Sequence, residues 1–237
     1  MNKEKRLAVL IDADNAQAKI VKELLVEVSK YGTAHIKRIY GDWTDTKLRS
    51  WKNSLNEYAI QPIQQFSYTN GKNSTDASLI IDAMDILHTN SLDGFCIVSS
   101  DSDFTRLATR IRESGLTVYG FGEGKTPKPF ISACDEFVYT ENLVKSDTDP
   151  FTLSEENRDE LRSILLRAID ATSDDDGWSL ITKVNLHIKK SNPAFDHRTY
   201  GFDKLSQLIK SLDYLETKAE AFNDGSTNKH IFVKVVS

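Results

Sequence analysis

At 237 residues the chain has room for one large domain or two small ones, each able to bury a core. Its 39% hydrophobic and 27% charged residues are those of an ordinary soluble protein. The net charge of −5 divides into −3 for residues 1–150 (18 Lys+Arg against 21 Asp+Glu) and −2 for the remainder, so neither half is basic in bulk and any nucleic-acid site must rely on local clusters.

The opening residues carry no signal-peptide apolar region, because the first apolar run meets Asp12 after five residues. No run approaches the roughly 18 apolar residues of a membrane helix. Cys96 sits in an apolar strand pattern and Cys134 near a helix end. Two unrelated cysteines predict buried thiols in a reducing compartment, hence a cytoplasmic protein without a disulfide framework.

The first 140 residues alternate strand and helix. Residues 7–12 predict a strand, and 16–30 a helix with Ile20, Leu24, Leu25 and Val28 on one face. A strand follows over 33–40, then a helix capped by Thr44 or Asp45 and running to Tyr58. Residues 60–66 predict a short strand that Pro62 confines to a sheet edge. After a polar loop over 67–73 comes a helix over 76–87, with Asp82 and Asp85 on its solvated side. A strand over 94–98, a helix over 104–114 closed by Gly115, and a strand over 116–121 complete the alternation, with a short helix near 129–134 and a last segment at 137–139. Such β–α alternation implies a parallel sheet flanked by helices, in the α/β class. The expected strand order is 3-2-1-4-5, reversing direction between the first and fourth strands.

Residues 143–153 predict a linker between two domains, 1–142 and 154–237. The second begins with a helix from the Ser154 cap to Ile169, followed by an acidic loop over 173–176 and helices over 180–189 and 202–212. Two strands, 214–221 and 230–236, are joined through Asn223-Asp224-Gly225, a hairpin signal. Three helices and a hairpin make a small winged helix-turn-helix domain.

Three acidic motifs carry the chemistry: Leu-Ile-Asp-Ala-Asp-Asn (10–15), Ser-Thr-Asp-Ala-Ser-Leu (74–79) and Val-Ser-Ser-Asp-Ser-Asp-Phe (98–104). Ligands of open α/β sheets bind outside the carboxyl ends of the strands, at the reversal of strand order. The expected topology brings Asp12, Asp76 and Asp101 to that crevice, with Asp103 beside them. Carboxylates without nearby His or Cys suit a hard cation such as Mg²⁺ or Mn²⁺. Asn15 or Asp14 alternatively caps the helix after the first strand, and Ser102 or Asp103 the helix after the fourth. Asn15 and Ser100 are candidates for positioning water or a ligand. Lys72, Lys125 and Lys128 are candidate phosphate contacts.

These motifs, in this order and spacing, resemble the NYN domain, a branch of the PIN-like nucleases in the LabA-like group. The resemblance covers about residues 5–142. It implies a PIN-like fold and a Mg²⁺- or Mn²⁺-dependent ribonuclease, with Asp12, Asp76, Asp101 and Asp103 as metal-binding and catalytic residues. The C-terminal part, with Asp170-Ala-Thr and Arg198-Thr-Tyr-Gly-Phe-Asp-Lys-Leu-Ser-Gln-Leu-Ile, resembles a LOTUS (OST-HTH) domain. That resemblance implies binding of RNA or of protein partners, with Lys189, Lys190, Arg198, Tyr200 and Lys204 as candidate contacts. Two rival readings are an RNA-binding adaptor with an inactive acidic centre and an aspartyl-phosphate phosphatase. The second rests on Asp12-Ala-Asp14, which resembles the haloacid-dehalogenase nucleophile motif; Ala16 stands where that motif has a threonine.

Overall fold

In a computed structural model the chain divides into two compact units, residues 1–145 and 146–237. The structure describes residues 4–66, 74–89, 91–144, 155–221 and 229–236. Lys72, most of the expected linker and the expected hairpin turn at 223–225 lie outside the described residues.

The first unit is built on six parallel strands: β1 (Arg6–Asp12), β2 (Thr33–Gly41), β3 (Gln61–Gln64), β4 (Gly94–Val98), β5 (Thr117–Gly122) and β6 (Glu136–Tyr139). Their order, β3-β2-β1-β4-β5-β6, is the expected one with the segment at 136–139 added as a sixth strand at one edge and β3, with its Pro62, at the other. Strands β1 and β4 are wholly or almost wholly buried, as parallel strands covered on both faces must be. Alternation along β1 and β4 sends Leu7, Val9, Ile11, Cys96 and Val98 into one core layer, with Leu24, Val28 and Trp51 of helices α1 (Val21–Val28) and α2 (Trp51–Glu57).

Helices α3 (Ser74–Thr89), α4 (Thr105–Glu113) and α5 (Lys128–Ala133) complete the unit. Helix α1 is shorter than its apolar period, because residues 18–20 form a 3₁₀ turn before it. Residues 46–50 likewise form a 3₁₀ turn before α2. Asp45 rather than Thr44 caps that turn, accepting from the Lys47 amide at 2.9 Å. Gly115 closes α4 at φ +81°, where a side chain would be strained. Both cysteines are buried, and burial pushes the Cys134 thiol up to about 12.

The second unit holds α6 (Glu155–Asp170), α7 (Ile181–Ser191) and α8 (Leu205–Lys210) with an antiparallel sheet ordered β7 (Ser179–Leu180), β9 (Lys229–Val235), β8 (Leu215–Ala221). Strand β7 was not expected; its two residues pair with Phe232 and Val233 and turn the hairpin into a three-stranded wing. Leu165, Val184, Ile188, Leu208, Ile209 and Val233 form its core.

Candidate active site

Asp12 ends β1 with no solvent exposure, on the face of the sheet opposite Ile11. Its carboxylate is held by three donors. The Asp14 amide donates to Oδ1 at 3.0 Å, and Asn15 Nδ2 and Ser99 Oγ donate to Oδ2 at 2.7 and 2.8 Å. Burial pushes the Asp12 pKa up against the pull of these bonds. Neither Asp14 nor Asn15 caps the following 3₁₀ turn, whose cap position is Gln17. Asn15 instead orients Asp12.

Ser99 connects the two central strand ends. Its hydroxyl donates to Asp12 and accepts from the Asp101 amide at 3.1 Å, and its own amide extends the ladder to the Phe121 carbonyl. Gly122 permits this close packing, since a Cβ there would lie 2.6 Å from the Ser99 carbonyl. Asp101 caps the 3₁₀ turn Ser102–Phe104, accepting from the Asp103 amide at 2.9 Å. The cap is therefore Asp101, not the expected Ser102 or Asp103.

Asp76 projects from the first turn of α3. Its carboxylate gathers with those of Asp101 and Asp103, one ligand oxygen from each lying within 4.8 Å of the others. Asp12 is not one of those three. Its charge nonetheless acts on them: burial first, then the charges of Asp12, Asp101, Asp103 and Asp14, push the Asp76 carboxyl up to about 6. The donors are all carboxylate oxygens, and clustered like charges that hold a proton so readily are what a hard divalent cation offsets. The residues present therefore fit Mg²⁺ or Mn²⁺.

The other expected site residues are dispersed. Ser100 Oγ accepts from the Glu123 amide at 2.9 Å, so it ties the ends of β4 and β5 together and does not reach Asp12. Lys125 pairs with Glu123 at 2.7 Å, and Glu123 also accepts from Gln17 at 2.9 Å. Lys128 opens α5, exposed. Asp82, expected to be solvated, is instead paired with Arg38 and accepts from the Tyr40 hydroxyl. Asp85 is exposed, as expected.

Sequence reasoning singled out Ser100 and passed over Ser99, whose hydroxyl holds Asp12. Strand parity carried the missing signal. Ile11 pairs with Val98, so Asp12 and Ser99 are next in register on one face, and Ser100 belongs to the other. Ser99→Ala should then cut activity at the acid cluster about ten-fold or more, by leaving Asp12 and Asp101 poorly positioned. Ser100→Ala should leave kcat within about two-fold. Parallel turnover and melting measurements on the two variants check this, and equal losses would refute the assignment.

In the second unit Asp196 grips Arg198 through both carboxylate oxygens, at 2.6 to 3.1 Å. Tyr200 packs against Phe195 with ring centroids 5.9 Å apart. Lys189 and Lys190 lie in the last turn of α7, and Lys204 is the exposed residue before α8. A further cation went unnoticed in the sequence: Lys218 of β8 stands over Trp178 at 4.7 Å and over Phe232 at 5.2 Å from the ring centroids.

Among protein families, the NYN domain matches residues 6–144. The chain belongs to the NYN family. An OST-HTH/LOTUS domain matches residues 152–222, so the NYN domain is followed by the second domain type that the sequence resembles. The NYN family is a branch of the PIN-like nucleases, and LOTUS domains point to RNA binding. No curated protein matches the chain. Among solved structures, a protein of unknown function from Vibrio parahaemolyticus is 19% identical over 59% of this chain and 94% of its own, with a TM-score of 0.50. That likeness speaks to the fold alone. An uncharacterized protein from Nitrosomonas europaea is 29% identical over 40% of this chain and 90% of its own, with a TM-score of 0.31. Residues 175–257 of a Chromobacterium violaceum protein are 26% identical over 37% of this chain and 87% of that chain, with a TM-score of 0.27. Among the described residues, no helix is long and apolar enough to cross a membrane.

Proposed function

We propose that this NYN protein is a Mg²⁺- or Mn²⁺-dependent ribonuclease, hydrolysing RNA phosphodiesters at the Asp76–Asp101–Asp103 cluster with the buried Asp12 nearby. The observation that carries the reading is the convergence of those three carboxylates within 4.8 Å, with the buried Asp12 near enough for its charge to act on Asp76. Asp76, Asp101 and Asp103 would hold the cation. Asp12 adds negative charge to the cluster, and Ser99 and Asn15 fix its orientation. When bound, a divalent cation supplies charge neutralisation at the scissile phosphate and an activated water. The protein contributes no covalent nucleophile. Asp12 is unsuited to attack a phosphoryl group, being fully buried with both oxygens already accepting hydrogen bonds, so the phosphatase reading gains no support.

The LOTUS domain would deliver RNA to the nuclease or recruit a protein partner. Lys189, Lys190 and Lys204 remain its candidate contacts with RNA; Arg198, gripped by Asp196, and Tyr200, packed on Phe195, serve the domain's own structure.

Cleavage of end-labelled RNA, single-stranded and structured, in Mn²⁺, Mg²⁺ and EDTA tests the proposal. Cation-dependent cleavage abolished by EDTA is expected. RNA that is bound but never cut under any of these conditions would replace the nuclease by an adaptor.

A further inference from the structure

The outer face of the wing sheet carries a pair of aromatic rings with a cation on them. Leu215 and Val233 belong to the core of the second unit, so alternation along β8 and β9 turns Lys218 and Phe232 outward. Lys218 is in register with Phe232, and Phe232 with Leu180 of β7, two residues after Trp178. Trp178 and Phe232 thus share this face, with the Lys218 ammonium 4.7 Å from one ring centroid and 5.2 Å from the other. Its third neighbour is a carboxylate, Glu220 Oε1 at 2.9 Å. Two rings and an acid around an ammonium make a cation site, filled here by the chain's own lysine.

Lys218 holds that place loosely. Its side chain is 41% exposed and that of Glu220 54%, and an exposed ion pair contributes little. An incoming cation therefore displaces it at small cost.

The surroundings are acidic. Asp174, Asp175 and Asp176 are exposed in the turn that leads into Trp178. The Gly177 amide closes that turn by donating to the Asp174 carbonyl at 2.8 Å, and Lys234 Nζ ties it to β9 by donating to the Asp176 carbonyl at 2.8 Å. Glu216 and Glu220 flank Lys218 on the same side of β8. On this face the carboxylates outnumber the ammonium groups of Lys218 and Lys234. A nucleic-acid strand would bring its phosphates against them. A basic protein segment instead brings the cations that the acids attract and the rings accept. Arginine suits the place better than lysine, because its planar, weakly hydrated guanidinium stacks on the rings and keeps N–H donors for Glu220.

We infer that the outer face of the wing docks an arginine-bearing basic segment of a partner protein, whose guanidinium takes the place of Lys218 over Trp178 and Phe232. The inference gives the partner-recruiting role of the LOTUS domain a surface and a ligand chemistry, and it stands whether or not the NYN domain cleaves RNA.

The test uses the full-length protein in EDTA, with fluorescein-labelled Gly-Arg and Gly-Lys repeat peptides and oligouridylate RNA as probes, read by fluorescence anisotropy. Trp178→Leu and Phe232→Leu keep apolar bulk and change no charge, so a loss of binding in them is not general attraction to an acidic chain. Each should raise the Kd of the arginine peptide about five-fold. Lys218→Met, which uncovers the rings, should lower it about three-fold, and further than Lys229→Met, which removes an equal charge from β9. The arginine peptide should bind more tightly than the lysine peptide and move the indole N–H resonance of Trp178. Melting curves verify folding; should either leucine variant unfold, Lys218→Met and the Trp178 resonance decide on their own. An unchanged Kd in both leucine variants, or no gain in Lys218→Met beyond that of Lys229→Met, overturns the inference. So does a Trp178 resonance that the RNA moves and the peptides do not, which makes the wing an RNA platform.

Discussion

Replacing Asp12 by Asn should cut RNA cleavage about 10²-fold or more, the loss of roughly 3 kcal/mol of transition-state stabilisation. The substitution keeps the shape of the side chain and removes one negative charge that acts on the three converging carboxylates. The cation should bind more weakly, so raising Mn²⁺ should recover part of the lost rate. The Asp76 carboxyl should titrate lower in the variant, because Asp12 is the largest charge contribution holding it up to about 6. Folding should not suffer. Ionised Asp12 is disfavoured by burial, and an amide removes both that penalty and the repulsion among the acids. The amide nitrogen will face Asn15 Nδ2 and the Ser99 hydroxyl, and Asn15 can turn its amide to offer an oxygen. Asp12→Ala behaves differently, stranding all three donors, and should melt earlier by the cost of unsatisfied buried groups, about 1–3 kcal/mol. Near-normal cleavage by Asp12→Asn, with wild-type contamination excluded, would take Asp12 out of the catalytic site and favour the adaptor.

The second large effect is on stability. The folded-state pKa values of Asp76 and Asp12 are raised above their unfolded ones, so the folded state binds their protons more tightly. Such groups stabilise the fold fully below about pH 4, and the contribution of Asp76 is lost as pH rises through about 6. Opposing groups act elsewhere. Asp196 is lowered, its burial outweighed by Arg198, and its contribution disappears only as pH falls below the ordinary carboxylate value of 3.8. In EDTA the NYN domain should therefore melt at a higher temperature near pH 5 than near pH 7.5. Mn²⁺ should reverse the trend, since a cation competes with protons for the same oxygens and binds best when they are ionised. At a free concentration about 100 times its Kd the gain is about 2.7 kcal/mol. Melting curves across pH, with Mn²⁺ and with EDTA, measure both slopes. A melting temperature in EDTA that climbs from pH 5 to 7.5, or one at neutral pH that ignores Mn²⁺, would show that these acids do not form a cation site.

Much of the architecture was written locally. Apolar runs ending in acids, the periods between them and Pro62 in the third strand determined a parallel sheet with its reversal between β1 and β4 and β3 at an edge. Helix periods and the segments flanking Asn223-Asp224-Gly225 determined a second, winged-helix unit. Each of these follows from what a residue does to its own stretch of chain: alternation, capping, a missing amide donor. The acids at strand ends were legible for the same reason, since a carboxylate closing a buried strand is costly without a partner.

What the sequence left open depended on contacts between elements. Whether Ser99 or Ser100 reaches Asp12 is set by the register of β4 on β1. Whether Lys125 is available to a ligand is set by Glu123 two residues away, whose carboxylate Gln17 of a distant segment also holds. Asp82 looked solvated on its helix and is paired only because β2 brings Arg38 and Tyr40 beneath it. Two-residue β7 has too little periodicity to announce itself and exists because β9 offers it a partner. Local propensity and hydrophobic period fix which elements form, because those energies belong to neighbours in the chain. Register and packing fix which side chains meet, because hydrogen bonds and charge pairs across 42 to 106 residues of sequence arise only once the sheet has assembled.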